Sequence, residues 1–540
     1  MGALRRYAPH ALFAIAAAGL VLHMRVFQFV TDDAFISFVY ARNFAEHGQL
    51  VFNLGERVEG YTNFLWTVLL AGLMKIGWRP ESASVVWGTG FAIATMAVCA
   101  WLSRRLREGA GDRGKDWSAW DAVPALFLAA VPGYACWSAG GLETQMFTFF
   151  VTLATALYLA PTDEKEVGGV DRLRLSAGIA FGLAALTRPE GNLFFLLAML
   201  HRTIHAVFIE RRLRPTRSEL AFCFAFVILV APHFGWRRLY YGWWLPNTFY
   251  IKSSGGKGTW ARGLVYLQRH AMAFLIPALL LPPVASLYRA REPGTNRLYR
   301  YALLVLPVFW IYVGSVGGDF MGLYRFALPV MPLVVLCAAV GMRELLGRFS
   351  SARIEVLAMA ALLVGYVAHT IPVDRNALGR GSYNGIDEPG WLKWYTDDRA
   401  AIGKWFGKYA RPDDYAAVGG AGAQVYYSGI PSLDCYGLSD AHIAHDVKPV
   451  DNRPGHEKYA PVEYQLSKRP TIITSNYYTI GNAPNPRPDE PFWKAHGYRY
   501  VSVEVPGLSS PWYTFLLRND RGMGPIAPIA SPSPVDHELQ

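Results

Sequence analysis

Charged residues are scarce in this 540-residue sequence: they make up 17% of it, against roughly 25% in an average soluble protein. Hydrophobic residues make up 52%. This balance excludes a disordered chain, and it is too apolar for a soluble enzyme of this length. Aromatic residues reach 14%, which is typical of a chain that meets membrane–water interfaces repeatedly. The composition therefore predicts a polytopic membrane protein.

Cysteine is also rare. Only Cys435 of the five cysteines lies in the polar C-terminal part of the chain, so no disulfide can form within that part. The sequence has no CxxC pair, which excludes the usual paired-cysteine metal and redox sites. Its basic residues form no stripe interleaved with aromatic residues, so we expect no nucleic-acid partner.

The positive charge is unevenly distributed. Residues 372–540 hold 17 Lys and Arg against 19 Asp and Glu, for a net charge of −2. Residues 1–371 hold 35 against 22, for a net charge of +13. An excess of basic residues confined to the apolar part is what the positive-inside rule produces in a membrane protein.

Apolar runs of about the length needed to cross a bilayer recur along the first 371 residues. We expect eleven spans, at 8–28, 82–103, 121–138, 143–160, 174–187, 190–207, 218–235, 263–288, 300–316, 326–342 and 354–371. The run 62–77 is placed flat at the interface, because six basic segments with 21 Lys and Arg then fall on the inner side. The N-terminus is then inside, and the C-terminal part is outside. Since no small-residue cleavage pattern follows the first run, we expect it to be retained as a span.

Three parts of the chain are predicted from these patterns. Residues 1–371 form a transmembrane core, in which the first exterior loop and interfacial helices occupy 29–81. Residues 372–521 form an exterior α+β domain, and 522–540 form a disordered tail. In the domain, strands are predicted at Tyr415–Val418, Gln424–Tyr427, Thr471–Ile473 and Tyr498–Val505, and a helix at Asp397–Tyr409.

Two adjacent carboxylates, Asp32 and Asp33, follow the first span. Thr31 can cap a helix that starts at Asp32, and acids are favourable in the first turn of a helix. The pair can therefore be purely structural. Alternatively, it can act as a general base, or as a metal-binding pair, facing a lipid-borne substrate.

Further acids and bases fall on the same predicted exterior side. Glu143 begins a helix, where an acid is commonly an N-terminal charge effect. Arg188 lies at membrane depth, where it can snorkel to headgroups or clamp a phosphate. The basic and aromatic segment 236–252 is either an aromatic belt or a lipid-phosphate site. The charged residues of this set are Asp32, Asp33, Glu143, Arg188, Arg237, Arg238, Lys252, Asp319 and Arg325.

The segment TDDAFISFVYARN, followed by VFNLGERVEGYTNFLW, resembles the GT-C superfamily of integral membrane glycosyltransferases. Within it, the likeness is to the bacterial branch that includes mycobacterial arabinofuranosyltransferases. The stretches GLET, LTRPEG, YYGWWLPNTFYIK, GGDFMGLYRFALPVMP and YSGIPSLDCYGLSD carry the likeness further. It implies a helical membrane core with a catalytic acid in the first exterior loop, and a polyprenyl-phosphate-linked sugar donor.

The resemblance also implies roles for individual residues. The catalytic base would be Asp32 or Asp33, with Asp32 favoured and Asp33 as its partner. Glu143 matches the acid of the second exterior loop. Arg188 and Lys252 would be donor-phosphate contacts. From their charge and position in the segment 236–252, Arg237, Arg238 and Asn247 are added as donor-phosphate or substrate contacts. Asp319 and Arg325 are assigned to the same cavity from their charge and side alone.

The expected function is transfer of a sugar, for example arabinofuranose, from a polyprenyl-phosphate donor to a glycan or lipid acceptor of the cell envelope. The expected setting is a bacterial plasma membrane, with a cytoplasmic N-terminus and a periplasmic C-terminal domain. The sequence assigns no definite cofactor, although Asp32 and Asp33 could hold Mg²⁺ or Mn²⁺. The alternatives are a transporter or flippase of lipid-linked glycans, and a ligase that moves whole glycans.

Overall fold

Apolar helices make up most of the computed structural model, which describes residues 2–108, 116–161, 170–252, 258–287, 293–347, 351–383, 385–450 and 456–527. Seven described helical segments are long and apolar enough to cross a membrane: Tyr7–Met24, Pro80–Arg107, Gly191–Ile209, Arg217–Tyr241, Gly294–Ser315, Arg325–Leu346 and Arg353–Ala377. Two bent helix pairs raise the number to nine if each pair is one span. The expected polytopic helical core is confirmed.

Helices cover most of the described residues of each of the eleven predicted runs, but not every one has the length of a span. The runs at 143–160 and 174–187 form Thr144–Leu159 and Arg172–Thr187, each of 16 residues, whereas a straight crossing needs about 20. By length and hydropathy, the described residues therefore support seven to nine spans rather than eleven. The run at 62–77 forms the 12-residue helix Phe64–Lys75, too short to cross a bilayer.

The helices of the core have these bounds: Gly2–Met24, Asp32–His47, Phe64–Lys75, Pro80–Glu108, Ala119–Ala129, Pro132–Ala139, Thr144–Leu159, Arg172–Thr187, Gly191–Ile204 with the π-turn His205–Ile209, Arg217–Tyr241, Asn247–Lys252, Thr259–Ala273, Ile276–Ser286, Pro293–Ser315, the 3₁₀ turn Arg325–Val330, Met331–Leu346 and Ala352–Ala377. The last helix continues six residues beyond the predicted boundary at 371.

Two breaks bend the core helices sharply. Ala119–Ala129 and Pro132–Ala139 meet at 71°, because Pro132 begins the second helix and cannot continue the hydrogen bonds of the first. Thr259–Ala273 and Ile276–Ser286 meet at 74° at Leu275, whose φ of 50° is left-handed.

The C-terminal α+β region is built on a six-stranded mixed sheet. Its strands are Ala416–Val418, Ser432–Asp434, Ile472–Thr474, Thr479–Gly481, Tyr498–Glu504 and Trp512–Arg518. Its helices are Pro389–Tyr409, Ala423–Ser428, Ala441–Asp446, Val462–Ser467 and Glu490–Ala495. A two-stranded ladder, Ser382–Tyr383 with Ile386–Asp387, precedes it.

Three neighbouring strands of this sheet run parallel. Ala416–Val418 lies between Ser432–Asp434 and Ile472–Thr474, with Val418 opposite both Asp434 and Thr474. The carboxyl ends of the three strands therefore meet at one edge. Trp512–Arg518 then joins the sheet antiparallel to Ile472–Thr474.

One predicted strand of this region is wrong. Gln424–Tyr427 lies in the helix Ala423–Ser428, which ends at Gly429 in a left-handed conformation. The aromatic residues that suggested a strand pack instead against the helix Asp32–His47, with Phe35 and Tyr426 ring centroids 5.5 Å apart. Three strands of the sheet, Ser432–Asp434, Thr479–Gly481 and Trp512–Arg518, were not predicted.

The helix Asp32–His47 packs against both parts of the molecule. Its residues Phe35 and Phe38 belong to the apolar cluster of the membrane helices. Ile36 and Val39 belong instead to the cluster that contains Val418 and the other buried side chains of the sheet. One face of this helix thus packs in the membrane core and another packs against the sheet. This packing fixes the position of its first turn relative to the sheet.

A buried ion pair stabilises the α+β region. Arg521 donates from Nε and Nη2 to the two carboxylate oxygens of Asp414, at 2.9 and 2.7 Å, and both residues are buried. We expect Arg521→Ala to lower the free energy of unfolding by about 3–5 kcal/mol, because it leaves the buried Asp414 carboxylate unpaired. Hydrogen exchange of the sheet amides in the detergent-solubilised full chain would measure this loss.

Arg518→Ala is the matched control. Arg518 pairs with the exposed Asp520, and surface ion pairs contribute little. Equal protection of the sheet in both variants would contradict the structural role of Arg521.

Candidate functional site

The acidic pair lies where the helical core meets the sheet. The helix begins at Asp32, as predicted, but the Thr31 side chain makes no capping hydrogen bond. Instead the Thr31 N–H donates to the Gly140 carbonyl at 3.1 Å. Asp32 is 7% exposed, and Asp33 is half-buried beside it.

A glycine loop, Gly419–Gly422, holds the Asp32 carboxylate. The loop follows the strand Ala416–Val418 and leads into the helix Ala423–Ser428. The Ala423 N–H donates to Asp32 Oδ1 at 2.8 Å. A Cβ on Gly422 would lie 2.6 Å from Asp32 Oδ2, so only glycine allows this approach.

Burial at this junction raises the pKa of Asp32 to about 6. The neighbouring charge of Asp33 adds to the rise, while the Ala423 N–H and the Arg399 guanidinium oppose it. A carboxylate with such a pKa is ionised at neutral pH and is still basic enough to accept a proton from a reacting group.

A cavity of about 240 Å³, called the inner cavity below, opens beside the acidic pair. Its lining residues are Thr31, Asp32, Asp33, Ile36, Phe320, Asp387, Trp391, Leu392, Tyr395, Gly419, Gly420, Ala421, Asp434, Tyr436, Leu438, His456, Ser475, Asn476 and Tyr478. Gly419, Asp434 and Ser475 come at or just after the carboxyl ends of the three parallel strands. Ligands of α/β sheets commonly bind at this edge.

A buried guanidinium lies behind the acidic pair. Arg399 is 2% exposed and donates to Gln424 Oε1 at 3.3 Å. Its guanidinium carbon lies 4.4 Å from the centroid of Tyr478 and 4.9 Å from that of Tyr395. Arg399 is among the charges that lower the pKa of Asp32, so it favours the ionised acid. The sequence analysis missed this residue, because its position in the helix Pro389–Tyr409 carries no motif.

Glu143 and Arg188, both predicted site residues, form a second charged cluster. Arg188 pairs with Glu143 and, at 3.0 Å, with Glu190. Asn63 Nδ2 donates to the other Glu143 oxygen at 2.8 Å, and Ser37 hydrogen-bonds Asn63. Burial acts to raise the pKa of Glu143, but Arg188 and Arg325 outweigh it and hold the pKa below its ordinary value. Because Ser37 is one helical turn from Asp33, this network reaches the helix that carries the acidic pair.

Asp319 and Arg325 pair with each other. Arg325 Nε donates to Asp319 Oδ2 at 2.8 Å, and both residues are buried. Neither is among the residues that line the inner cavity. Arg325 instead lines a small space together with Arg188 and Glu190, on the side of the second cluster.

The segment 236–252 packs largely against other protein groups. Arg237 forms a buried ion pair with Glu59 at 2.7 Å, and Asn247 Nδ2 donates to the Asp440 carbonyl. Trp243 stacks on His445 of the α+β region at 3.8 Å. Arg238 is exposed and donates to the Gly242 carbonyl. Lys252 ends the helix Asn247–Lys252, and its side chain lies outside the described residues.

The acidic pair does not by itself form a protein metal site. Within the described ranges, no group of three or more His, Cys, Asp or Glu residues is arranged to hold a metal ion. Asp32 Oδ1 is already an acceptor for the Ala423 N–H. The pair supplies two carboxylates, and a divalent cation there would need its remaining ligands from substrate and water.

A family model and curated relatives match parts of the chain. Residues 391–516 match a family model described as a domain of unknown function, DUF8728. A protein of Mycobacterium tuberculosis named terminal β-(1→2)-arabinofuranosyltransferase is 26% identical over 59% of this chain and 53% of its own length. The protein of that name from Corynebacterium glutamicum is 26% identical over 57% of this chain and 47% of its own. The chain spans about half the length of these curated relatives.

Solved structures share the fold over most of the chain. ArnT from Cupriavidus metallidurans, solved with bound undecaprenyl phosphate, matches 94% of this chain and 97% of its own with a TM-score of 0.59 at 13% identity. An Archaeoglobus fulgidus oligosaccharyltransferase tethered to an acceptor peptide matches 89% of this chain and 70% of its own with a TM-score of 0.53 at 12% identity. The expected GT-C fold and the resemblance to arabinofuranosyltransferases are confirmed.

The contact between Gly422 and Asp32 can be tested directly. We expect Gly422→Ala to push the glycine loop away from the acidic pair, because the added Cβ has no space. Hydrogen exchange at Ala423 should rise by an order of magnitude or more as its bond to Asp32 is lost.

Gly522→Ala is the matched control, since a Cβ at Gly522 meets nothing within 4 Å. If Ala423 kept wild-type protection in the Gly422→Ala chain, the described junction between loop and acid would be wrong.

Proposed function

We propose that this protein is a membrane glycosyltransferase that moves a sugar from a polyprenyl-phosphate carrier to an acceptor hydroxyl. The main support is the placement of an acidic pair beside a cavity at the junction of core and sheet in a GT-C fold. The names of the curated relatives support sugar transfer, with arabinofuranose as the first candidate. The undecaprenyl phosphate bound to ArnT supports a lipid-phosphate donor.

Asp32 is the proposed general base, with Asp33 as its partner. Its raised pKa suits proton transfer at neutral pH, and the Ala423 N–H fixes the direction of its carboxylate. Asp32 takes the proton of the acceptor hydroxyl as that oxygen attacks the anomeric carbon. The bond from this carbon to the phosphate oxygen breaks, and its electron pair leaves with the polyprenyl phosphate. Direct displacement inverts the anomeric centre.

The leaving phosphate requires nearby cations. Arg188, Arg237, Arg238, Lys252 and Arg325 remain the proposed donor-phosphate contacts, and Glu143, Asn247 and Asp319 the proposed polar groups around them. Arg188, Arg237 and Arg325 are already paired with carboxylates. A donor phosphate must therefore displace a carboxylate or approach the paired guanidinium from its open side. Arg238 is exposed and needs no such exchange.

The membrane setting and the orientation belong to the same proposal. The apolar helices fit a bilayer, and the positive-inside rule places the acidic pair and the α+β region outside the cytoplasm. Polyprenyl phosphates embed in the membrane, so their sugar lies near the headgroup plane where the pair is placed.

Removing the proposed base should abolish the chemical step. We expect Asp32→Asn to lower the turnover of a synthetic polyprenyl-phosphoryl arabinose by about 10²–10⁴-fold, because the amide cannot accept the hydroxyl proton. Donor binding should persist, since Asp32 does not contact the phosphate in this scheme. Radiolabelled transfer and donor-binding assays on the purified full chain would measure both quantities.

Asp397→Asn serves as the matched control, because Asp397 is exposed and forms a surface ion pair with Lys393. Retained turnover in Asp32→Asn would refute the role of Asp32. Loss of turnover in Asp33→Asn alone would assign the base to Asp33. If a panel of donors shows transfer of a different sugar, the proposed transferase activity stands, but arabinofuranose is not the donor sugar.

The raised pKa of Asp32 predicts a pH dependence. Because the base must be ionised, we expect kcat/KM to fall about tenfold per pH unit below a pH of about 6. The contribution of Asp32 to the free energy of unfolding changes with pH in the opposite direction to the activity. The folded pKa lies above the ordinary value of 3.8, so burial of this acid costs stability as the pH rises from about 4 to about 6.

Glu388→Gln is the control for this profile. The pKa of Glu388 is raised to about 7 by burial, and its side chain does not line the inner cavity. The fall of kcat/KM below about pH 6 should persist in this variant. A flat profile between pH 5 and 8 in the wild-type protein would exclude Asp32 as the base.

A further inference from the structure

The inner cavity continues into a larger one. A second cavity of about 700 Å³, called the outer cavity, shares Tyr436, His456 and Asn476 with the first. Lys448 and Val450 line it and are exposed, so it reaches the protein surface. Together the two cavities form one cleft from the acidic pair to the surface. Ligand sites commonly occupy about 300–1,000 Å³, which is the size range of this cleft.

Aromatic rings form much of the wall of the cleft. Trp391 and Tyr395 stack in the inner cavity with centroids 5.2 Å apart and planes 10° apart, and Tyr478 lies in the same lining. In the outer cavity, Tyr459 and Tyr477 continue the series. Tyrosine and tryptophan combine an apolar ring with a polar tip. Such a wall suits a sugar ring, which has apolar C–H faces and hydroxyl edges.

The charges of the inner cavity select against an anion. Its lining includes four carboxyl groups: Asp32, Asp33, Asp387 and Asp434. Among the described lining residues there is no Lys or Arg, and the outer cavity adds only Lys448. A phosphate or carboxylate in the inner cavity would be repelled, whereas carboxylates readily accept hydrogen bonds from neutral hydroxyls.

We propose that this cleft is the acceptor site and that it binds a neutral oligosaccharide, with the terminal sugar in the inner cavity and the rest of the chain in the outer one. The proposal rests on the proposed function. It adds that the acceptor is uncharged at its reacting end, and that donor phosphate and acceptor approach Asp32 from different sides. Asn476 contributes at the junction of the two cavities, where its amide can both donate to and accept from hydroxyls.

Acceptor binding to the purified full chain without donor tests the site. The probes are neutral linear tetrasaccharides, including an arabinofuranosyl one, and the same compounds carrying a terminal phosphate. We expect calorimetry to show a neutral probe binding more tightly than its phosphorylated form. Tyr436→Ala and Asn476→Ala should each weaken binding about tenfold or more, since each lines both cavities.

Tyr383→Ala and Asn482→Ala are matched controls, because both residues are exposed and line neither cavity. Thermal unfolding of each variant separates a lost site from a lost fold, and either folded cleft variant suffices. Absence of binding by every neutral probe, tighter binding of the phosphorylated probes, or unchanged affinity in both cleft variants would overturn the proposal.

Transfer assays distinguish failure of the proposed acceptor site from failure of the proposed transferase activity. A chain that binds neutral probes in the cleft and transfers no sugar from any donor would keep the cleft and discard the transferase. A chain that transfers sugar with an unchanged acceptor KM in both cleft variants would keep the transferase and discard the cleft.

Discussion

The contact between the glycine loop and Asp32 is the constraint on which the site depends. Residues about 390 positions apart meet there, with the Ala423 N–H donating to the acid and Gly422 leaving no space for a side chain. The contact joins the first turn of a core helix to the edge of the sheet. The inner cavity exists only because these two parts are held together, since both contribute to its walls. The α+β region is therefore part of the site rather than an appendage to the membrane helices.

Two sets of charged groups near the junction differ in their degree of pairing. Around Arg188 and Arg325, each guanidinium faces a carboxylate, and the two guanidinium groups hold the pKa of Glu143 below its ordinary value. Around Asp32, carboxylates line a cavity, and the buried Arg399 guanidinium acts on Asp32 by its charge. The ion pairs of the first set can hold the structure rigid, or a ligand anion can replace one of their carboxylates. The second set suits proton transfer, because burial raises the pKa of Asp32 to about 6, close to neutral pH.

Much of this arrangement could be predicted from local pattern, and the rest could not. Apolar runs predicted the core helices, and the adjacent acids at 32 and 33 marked the start of a helix. The prediction failed at Gln424–Tyr427, where tyrosines that favour a strand pack instead against another helix. Arg399 and the Asp32–Ala423 bond have no local signal, because they depend on tertiary contacts across most of the chain. The ion pair between Arg188 and Glu190 could be predicted more easily, since the two residues are only two positions apart in the sequence.

Burial of the acid at the junction bears on how such a site would choose between an acceptor and water. Desolvation is the largest contribution to the raised pKa of Asp32. Asp32 is 7% exposed and opens on the inner cavity, so an acceptor that fills this cavity would displace water, the competing acceptor in any transfer from an activated sugar. One geometric fact thus tunes the base and restricts hydrolysis. An isolated surface carboxylate would do neither, whereas Asp32 lies at the contact with the α+β region.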